Sequence, residues 1–311
     1  MKILILGYSD LAQRKLIPAI NSADFIHSYD LASVSKKVVK APKLDRVFKN
    51  YTEAIENTSA ETVYVSLPNS LHYLYSKIAL ENNKNVIVDK PAINDIIELK
   101  ELTKLSKEKN LFISMSSVFT FHKGWEKFKD ISKPNSSKNE VLIAQFTIPT
   151  LDKNNIRLSK KLGGGAIEDM GVYASSLGYY FWNSQVNTFE VLPVNVDGLN
   201  NSFTIMLNYG PGRTMIGSFG FDQYYKNKVT FNNSENTRIE YDRVFSQTIS
   251  YEAEIFSYTK EKESKITVGA DDSFLNYFSY VKEKASDDIS RLNKEFNEVN
   301  LEYLKVFNNV K

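Results

Sequence analysis

Cysteine is missing from all 311 residues. That removes disulfide frameworks and thiolate metal sites from consideration and says little about compartment. Histidine is scarce, and His27, His72 and His122 are too scattered to form a metal-ligating pattern. Charge of one sign is also lacking. Lysine and arginine total 39 against 37 acidic residues, a net charge of +2, too mild for a nucleic-acid footprint. No apolar run approaches membrane-spanning length. Met1 leads into Lys2-Ile3-Leu4-Ile5-Leu6, too short for the apolar core of a signal peptide and without a cleavage site, so the expected location is cytoplasmic. Internal repeats and low-complexity stretches are absent, and Asn135-Ser136-Ser137-Lys138-Asn139 is only a short polar loop. With 42% hydrophobic and 24% charged residues, the chain reads as an ordinary soluble protein of two domains.

What is present begins with a strict alternation of strand and helix. Ile3–Leu6 reads as a buried strand, followed by Gly7 and a helical pattern of Leu11, Ala12, Leu16, Ile17 and Ile20. Asp30–Val34 is a second, weaker strand, and Thr62–Leu67 a third, stopped by Pro68-Asn69. A helix through Leu74 to Leu80, a strand ending at Val88, a helix through Ile97 to Leu105 and a strand at Leu111–Met115 complete the series. This order predicts a doubly wound parallel sheet with right-handed crossovers over residues 1–118.

Beyond Ser117 strands follow strands. Val141–Pro149, Phe203–Leu207, Arg213–Gly217, Lys228–Phe231, Thr237–Tyr241 and Ile255–Tyr258 are predicted strands, and the second and third flank the turn-rich link Asn208-Tyr209-Gly210-Pro211-Gly212 as a hairpin. One helix starts after Gly163-Gly164-Gly165, and two more close the chain from about Asp272 and Ile289. Residues 119–311 are therefore expected to form an α+β domain on a large, mostly antiparallel open sheet, with the C-terminal helix free to pack back on the first domain.

Chemistry concentrates at strand ends. Val86-Ile87-Val88 runs into Asp89-Lys90-Pro91, and the proline forbids continuation of the strand. The carboxyl ends of a parallel sheet form its ligand crevice, so Lys90 is placed as a working cation. Gly7-Tyr8-Ser9-Asp10-Leu11-Ala12 occupies the position of a G-x-G-x-x-G dinucleotide fingerprint. Only the first glycine is kept; Ser9 and Ala12 replace the other two with small residues, and the helix start still offers N–H groups to a phosphate. At the second strand the only acid, Asp30, stands at the wrong end for a ribose. The carboxyl end reads Ser35-Lys36-Lys37, a hydroxyl and two cations suited to a 2′-phosphate, which favours NADP(H) over NAD(H).

These segments, with Leu67-Pro68-Asn69-Ser70-Leu71-His72 and Gly163 through Tyr173, resemble the Gfo/Idh/MocA oxidoreductase family, which includes glucose–fructose oxidoreductase and inositol dehydrogenase. Order and spacing match from the first strand through Phe181. The stretch from Gly7 to Arg14 with Pro18-Ala19 is most similar to members that act as ketoreductases on nucleotide-linked deoxysugars. The resemblance implies that Asp89-Lys90-Pro91 stands for the family's glutamate-lysine-proline motif, with Lys90 beside the nicotinamide and the reacting carbon. It implies that Pro68, Asn69 and His72 lie near the cofactor, with Leu67 preceding them. Asp169 maps to the acid after the glycine run, and Tyr173 to a position that carries histidine or tyrosine in the family. The arginine usual after the last Rossmann strand is not evident in Ser117–His122. A homodimer or homotetramer built through the second domain's sheet is a further implication.

Asp169 and Tyr173 are four residues apart and share a helix face. Reduction of a carbonyl needs positive potential near the developing alkoxide and a proton donor. Lys90 suits the first role and Tyr173 the second, since a phenol beside an ammonium is a stronger acid than in water. Asp169 is placed to bond a sugar hydroxyl or steer Lys90. The expected activity is NADP(H)-dependent hydride transfer to or from a sugar or nucleotide sugar. The alternatives are a reductase of a non-sugar cyclic substrate and, because of Ser9 and Asp89, a cofactor-binding sensor that has lost catalysis.

Overall fold

The computed structural model describes residues 1–34, 38–134, 139–308 and 310. They fall into two compact units, one made of Met1–Ser117 with Phe274–Asn300, the other of Val118–Ser273 with the chain from Leu301 onward.

The first unit holds six parallel strands, β1 (Lys2–Leu6), β2 (Ser28–Ala32), β3 (Leu44–Phe48), β4 (Thr62–Val65), β5 (Asn85–Val88) and β6 (Ile113–Met115), in the order β3-β2-β1-β4-β5-β6. Every residue of β4, and all but the first of β1 and β5, is buried, as in a parallel sheet covered on both faces. The order reverses between β1 and β4, so the switch point lies beside the Gly7 turn. A helical stretch over residues 10–22 contains a π turn, Ala12–Leu16, that runs into α1 (Ile17–Ser22). Then follow α2 (Tyr51–Asn57), α3 (His72–Glu81) and α4 (Ile96–Glu108). Asn50 caps α2 by accepting the Glu53 N–H, and Asp95 caps α4 by accepting those of Ile97 and Glu98.

From the far end of the chain come α7 (Ser273–Asp287) and the first part of α8 (Ile289–Phe307). Asn293 of α8 treats the edge strand β6 as a neighbouring strand would: its Oδ1 accepts the Ile113 N–H at 2.8 Å and its Nδ2 donates to the Leu111 carbonyl at 3.0 Å. Tyr277 of α7 meets Ser114 at 2.7 Å. The second strand runs two residues earlier than the expected Asp30–Val34, so Asp30 is fully buried at the middle of β2, where it receives Lys2 at 2.9 Å, the Thr58 hydroxyl at 2.7 Å and the Arg46 N–H at 3.2 Å. It is a fastener between β1, β2 and β3.

The second unit opens with α5 (Lys123–Ser132) and β7 (Glu140–Thr147), followed by α6 (Ala166–Trp182). Seven more strands follow: β8 (Thr188–Val196), β9 (Leu199–Asn208), β10 (Arg213–Gly220), β11 (Lys226–Asn233), β12 (Arg238–Asp242), β13 (Ala253–Tyr258) and β14 (Glu263–Val268). Their order is β14-β13-β12-β11-β7-β10-β9-β8, antiparallel except where β10 meets β7. The β9–β10 hairpin forms in the register Asn208↔Thr214. Phe203, Ile205 and Leu207 point to the buried side of β9 while Thr204 and Met206 face outward. Phe203 stacks on Phe219 at 5.2 Å, and Phe307 closes on it edge-on at 5.3 Å.

Strands β3, β8 and β14 have no counterpart in the sequence reading. Each is an edge, and none shows a clean apolar alternation: β8 is exposed along nearly its whole length. No described helix is long and apolar enough to cross a membrane.

Candidate cofactor and active-site residues

At the end of β1 the chain turns at Gly7, whose φ is +99° and whose N–H donates to the Ala32 carbonyl at 2.9 Å. A Cβ here would stand 2.2 Å from the Ser66 carbonyl oxygen, so only glycine fits. Ser9 then acts as the helix cap. Its Oγ accepts the Ala12 N–H at 3.0 Å and lies 2.8 Å from Ser66 Oγ. The serine in the second glycine position is thus engaged with the ends of β1 and β4. Tyr8 is half-buried and its carbonyl accepts from Gln13, while Asp10 and Leu11 are exposed at the helix start. A turn closed against side chains, followed by the N–H groups of a helix start, fits a dinucleotide pyrophosphate. Ser35, Lys36 and Lys37 lie outside the described residues.

Asp89 follows β5, and its carboxylate collects three hydroxyls. Ser66 donates to Oδ2 at 2.8 Å, while Tyr64 at 2.5 Å and Ser116 at 3.1 Å reach Oδ1. Tyr64 is fully buried, and burial, reinforced by Asp89, pushes its pKa far above that of a free phenol, so it stays a donor. Lys90 is next in the chain and half-buried; the buried Pro91 completes the segment.

His72 opens α3 and is buried, with Nδ1 2.8 Å from the Pro91 carbonyl oxygen and Nε2 2.8 Å from that of Leu67. One ring thereby clamps the segment after β4 to the segment after β5, at the residue that follows Lys90. Burial lowers its pKa, opposed by Asp89 and the two carbonyls. Pro68 and Asn69 lie in the intervening turn, where the Leu71 N–H donates to the Pro68 carbonyl. Six of the residues singled out by sequence, Gly7, Ser9, Leu67, His72, Asp89 and Pro91, are linked directly or through Ser66 into one hydrogen-bonded and packed cluster. Tyr64, Ser66 and Ser116 were not singled out; their only sequence signal is a hydroxyl in or just after a buried strand.

In the second unit the glycine run wraps around an arginine. Gly163 and Gly165 have φ of +75° and +130°, the Gly165 N–H donates to the Arg157 carbonyl at 2.9 Å, and a Cβ on Gly164 would fall 2.5 Å from that same oxygen. Arg157 Nε in turn donates to Asp169 Oδ2 at 2.9 Å. Asp169 lies in the first turn of α6, where the helix dipole favours a carboxylate. Arg157 comes from a loop 12 residues before Asp169. Tyr173, one turn further along α6, is half-buried. Its ring sits 5.7 Å from Phe119, 5.7 Å from Phe146 and 5.0 Å from Phe245. His122 caps α5 through Nδ1, which accepts the Gly124 N–H at 2.9 Å, and burial lowers its pKa.

Residues 1–117 match the family model described as oxidoreductase family, NAD-binding Rossmann fold (GFO_IDH_MocA). Over 280 residues the chain is 25% identical to a dTDP-3,4-didehydro-2,6-dideoxy-alpha-D-glucose 3-reductase from Saccharopolyspora spinosa, covering 88% of this chain and 83% of that one. Among solved structures, KijD10, a 3-ketoreductase from Actinomadura kijaniata in complex with NADP and TDP-benzene, has a TM-score of 0.86 at 21% identity, covering 98% of this chain and 96% of that one. An aldose-aldose oxidoreductase from Caulobacter crescentus complexed with glycerol gives 0.82 at 14% identity, over 100% and 98% of the two chains. The fold is shared with both.

Proposed function

Residues 1–117 match the Gfo/Idh/MocA oxidoreductases' NAD-binding Rossmann fold, and from that premise we propose that the chain is a member of that family and an NADP(H)-dependent ketoreductase of a nucleotide-linked deoxysugar. The observation that carries the reading is the setting of Lys90: a lysine at the carboxyl end of an interior parallel strand, between a carboxylate held by three hydroxyls and a proline held by His72. Similarity to a dTDP-sugar 3-reductase over most of both chains supports the substrate class, and a neighbour in complex with NADP supports the cofactor.

When bound, the nicotinamide supplies or takes up the hydride. Gly7, Ser9 and the amides opening the helix at Asp10 hold its pyrophosphate, and Ser35, Lys36 and Lys37 its 2′-phosphate. Lys90 provides positive potential to the carbonyl oxygen as it gains charge. Tyr173 gives that oxygen its proton in the reductive direction and withdraws it in the other. Asp169, occupied by Arg157, orients that guanidinium rather than transferring a proton. Arg157 stands with exposed Lys153, Lys160 and Lys161 in a stretch whose only acid is Asp152, chemistry suited to the diphosphate of a nucleotide sugar.

A panel of keto sugars, free and dTDP-linked, assayed with NADPH and NADH tests the reading. Turnover of a dTDP-linked 3-keto-deoxysugar, preferring NADPH and lost in Lys90→Ala, is the expected result. Cofactor binding without turnover of any sugar would favour the sensor instead, and a clear NADH preference would overturn the cofactor assignment.

Self-association through the outer sheet face belongs to the same proposal. Ile143, Ile216 and Met206 are neighbours in register across β7, β10 and β9, each 42–47% exposed, with exposed Leu192 alongside on β8. Ile216→Glu is expected to yield monomers in sedimentation experiments; a wild-type protein that is itself monomeric would refute this part.

A further inference from the structure

The hydroxyls around Asp89 leave little freedom in where their protons go. Ser66 donates to Asp89 Oδ2 at 2.8 Å, a charge-assisted bond that commits its single proton. Across the 2.8 Å contact between the two serines, Ser66 must then accept and Ser9 must donate. Ser9 keeps lone pairs for the Ala12 N–H, which it receives at 3.0 Å. The order Ala12 N–H, Ser9, Ser66, Asp89 is therefore a one-directional chain, and the Tyr64 and Ser116 hydroxyls saturate the other carboxylate oxygen. Hydrogen bonds in such a series polarise one another. One end of this series is the opening turn of helix 10–22, where amides and dipole favour phosphate. The other end is the residue bonded to Lys90.

We propose that Ser9 is a positioning residue that couples occupancy of the phosphate-binding turn to the placement of Lys90, through Ser66 and Asp89. A glycine in this position, as in the common fingerprint, has no atom with which to make the link. A phosphate at the helix start draws on the same donor end of the chain and alters the hold of Ser9 on Ser66. By reciprocity, a change at Asp89 returns as a change in affinity at the turn. Asp89 fits this role because its shorter side chain, in place of the family's glutamate, ends where three strand-end hydroxyls meet. The proposal rests on reading the Gly7–Ala12 turn as the cofactor's phosphate site.

The test is a double-mutant cycle on NADP(H) affinity, measured by calorimetry on the full chain, with Ser9→Ala, Asp89→Asn and both together. Each single change is expected to weaken binding about tenfold, and the pair by little more than either alone. Losses that multiply to about a hundredfold would overturn the proposal. Should Asp89→Asn fail to fold, Ser66→Ala replaces it under the same criterion, and Ser9→Thr, which keeps the hydroxyl, should restore the wild-type value. A second readout addresses Lys90 in the cofactor-free protein: Ser9→Ala should change its labelling rate by an amine reagent at least threefold relative to exposed Lys153, and an unchanged rate would count against the coupling. A wild-type protein that binds neither NADP(H) nor NAD(H) would instead refute the cofactor reading itself.

Discussion

Replacing Tyr173 by phenylalanine removes one oxygen and leaves a ring whose neighbours are all in place. The contacts with Phe119, Phe146 and Phe245, at 5.7, 5.7 and 5.0 Å, are made by ring carbons and survive the change. A hydroxyl on a half-buried side chain contributes about 1 kcal/mol to stability, so unfolding should shift by no more than that. A proton donor in the transition state contributes about 10²–10⁴ in rate, which is about 3–5 kcal/mol of barrier. The two magnitudes are far enough apart to separate a catalytic tyrosine from one that only packs. Urea unfolding should give a nearly unchanged midpoint and slope, and calorimetry an unchanged NADPH affinity. Turnover, followed by the absorbance of the reduced nicotinamide with a dTDP-linked keto sugar, should fall by at least a hundredfold. A turnover within threefold of wild type would reduce Tyr173 to a member of the aromatic cluster. Tyr173→Leu provides the contrast, since loss of the ring should destabilise the second unit by about 1–3 kcal/mol.

Three other outcomes follow from the same geometry. Gly7→Ala forces a Cβ to within 2.2 Å of the Ser66 carbonyl at a φ of +99°, so it should lower stability by about 2 kcal/mol or more and weaken NADP(H) binding, both readable by calorimetry. Asp30→Ala leaves the Thr58 hydroxyl and the Arg46 N–H without their acceptor, while Lys2 keeps Asp45, and should lower unfolding stability by about 1–3 kcal/mol, with cofactor affinity in the protein that remains folded unchanged. Burial lowers the pKa of His122, whose Nδ1 accepts an N–H and so is unprotonated, and the unfolded chain therefore binds more protons than the folded one below the ordinary histidine value of 6.5. Stability should therefore fall as pH drops below about 6.5, and His122→Asn, which keeps an oxygen for the Gly124 N–H, should show a shallower fall in urea titrations; an identical pH slope would refute the assignment to His122.

Legibility in the sequence followed burial. Strands β1, β4 and β5 announce themselves as unbroken apolar runs because both their faces are covered, and α6 announces itself through the glycine run before it. The edges β3, β8 and β14 lack that signal because little of their surface is removed from water. Lys90 was visible as a cation abutting a buried strand and a proline. Arg157 was not, since nothing in a polar loop shows that its guanidinium will reach Asp169 across a turn of glycines. Nothing in the sequence singled out His122 beyond its distance from the other histidines, and its task as a helix cap depends on a backbone N–H two residues away that only a helix leaves unpaired.

Local chemistry, read along the chain, determined the alternating strands, the glycine turn, the lysine at a strand end, and the acid and tyrosine on one helix face, while hydride transfer to a sugar is what the family resemblance implies. These are properties of neighbours within a few residues, where propensity and periodicity operate. Tertiary structure alone decided what Asp89 and Ser9 are attached to. Tyr64, Ser66 and Ser116 approach the carboxylate from the ends of other strands, 23 to 27 positions away along the chain, and Ser9 joins them across 57. A parallel sheet gathers its strand ends on one edge whatever the length of chain between them, and hydrogen bonds answer to that distance in space.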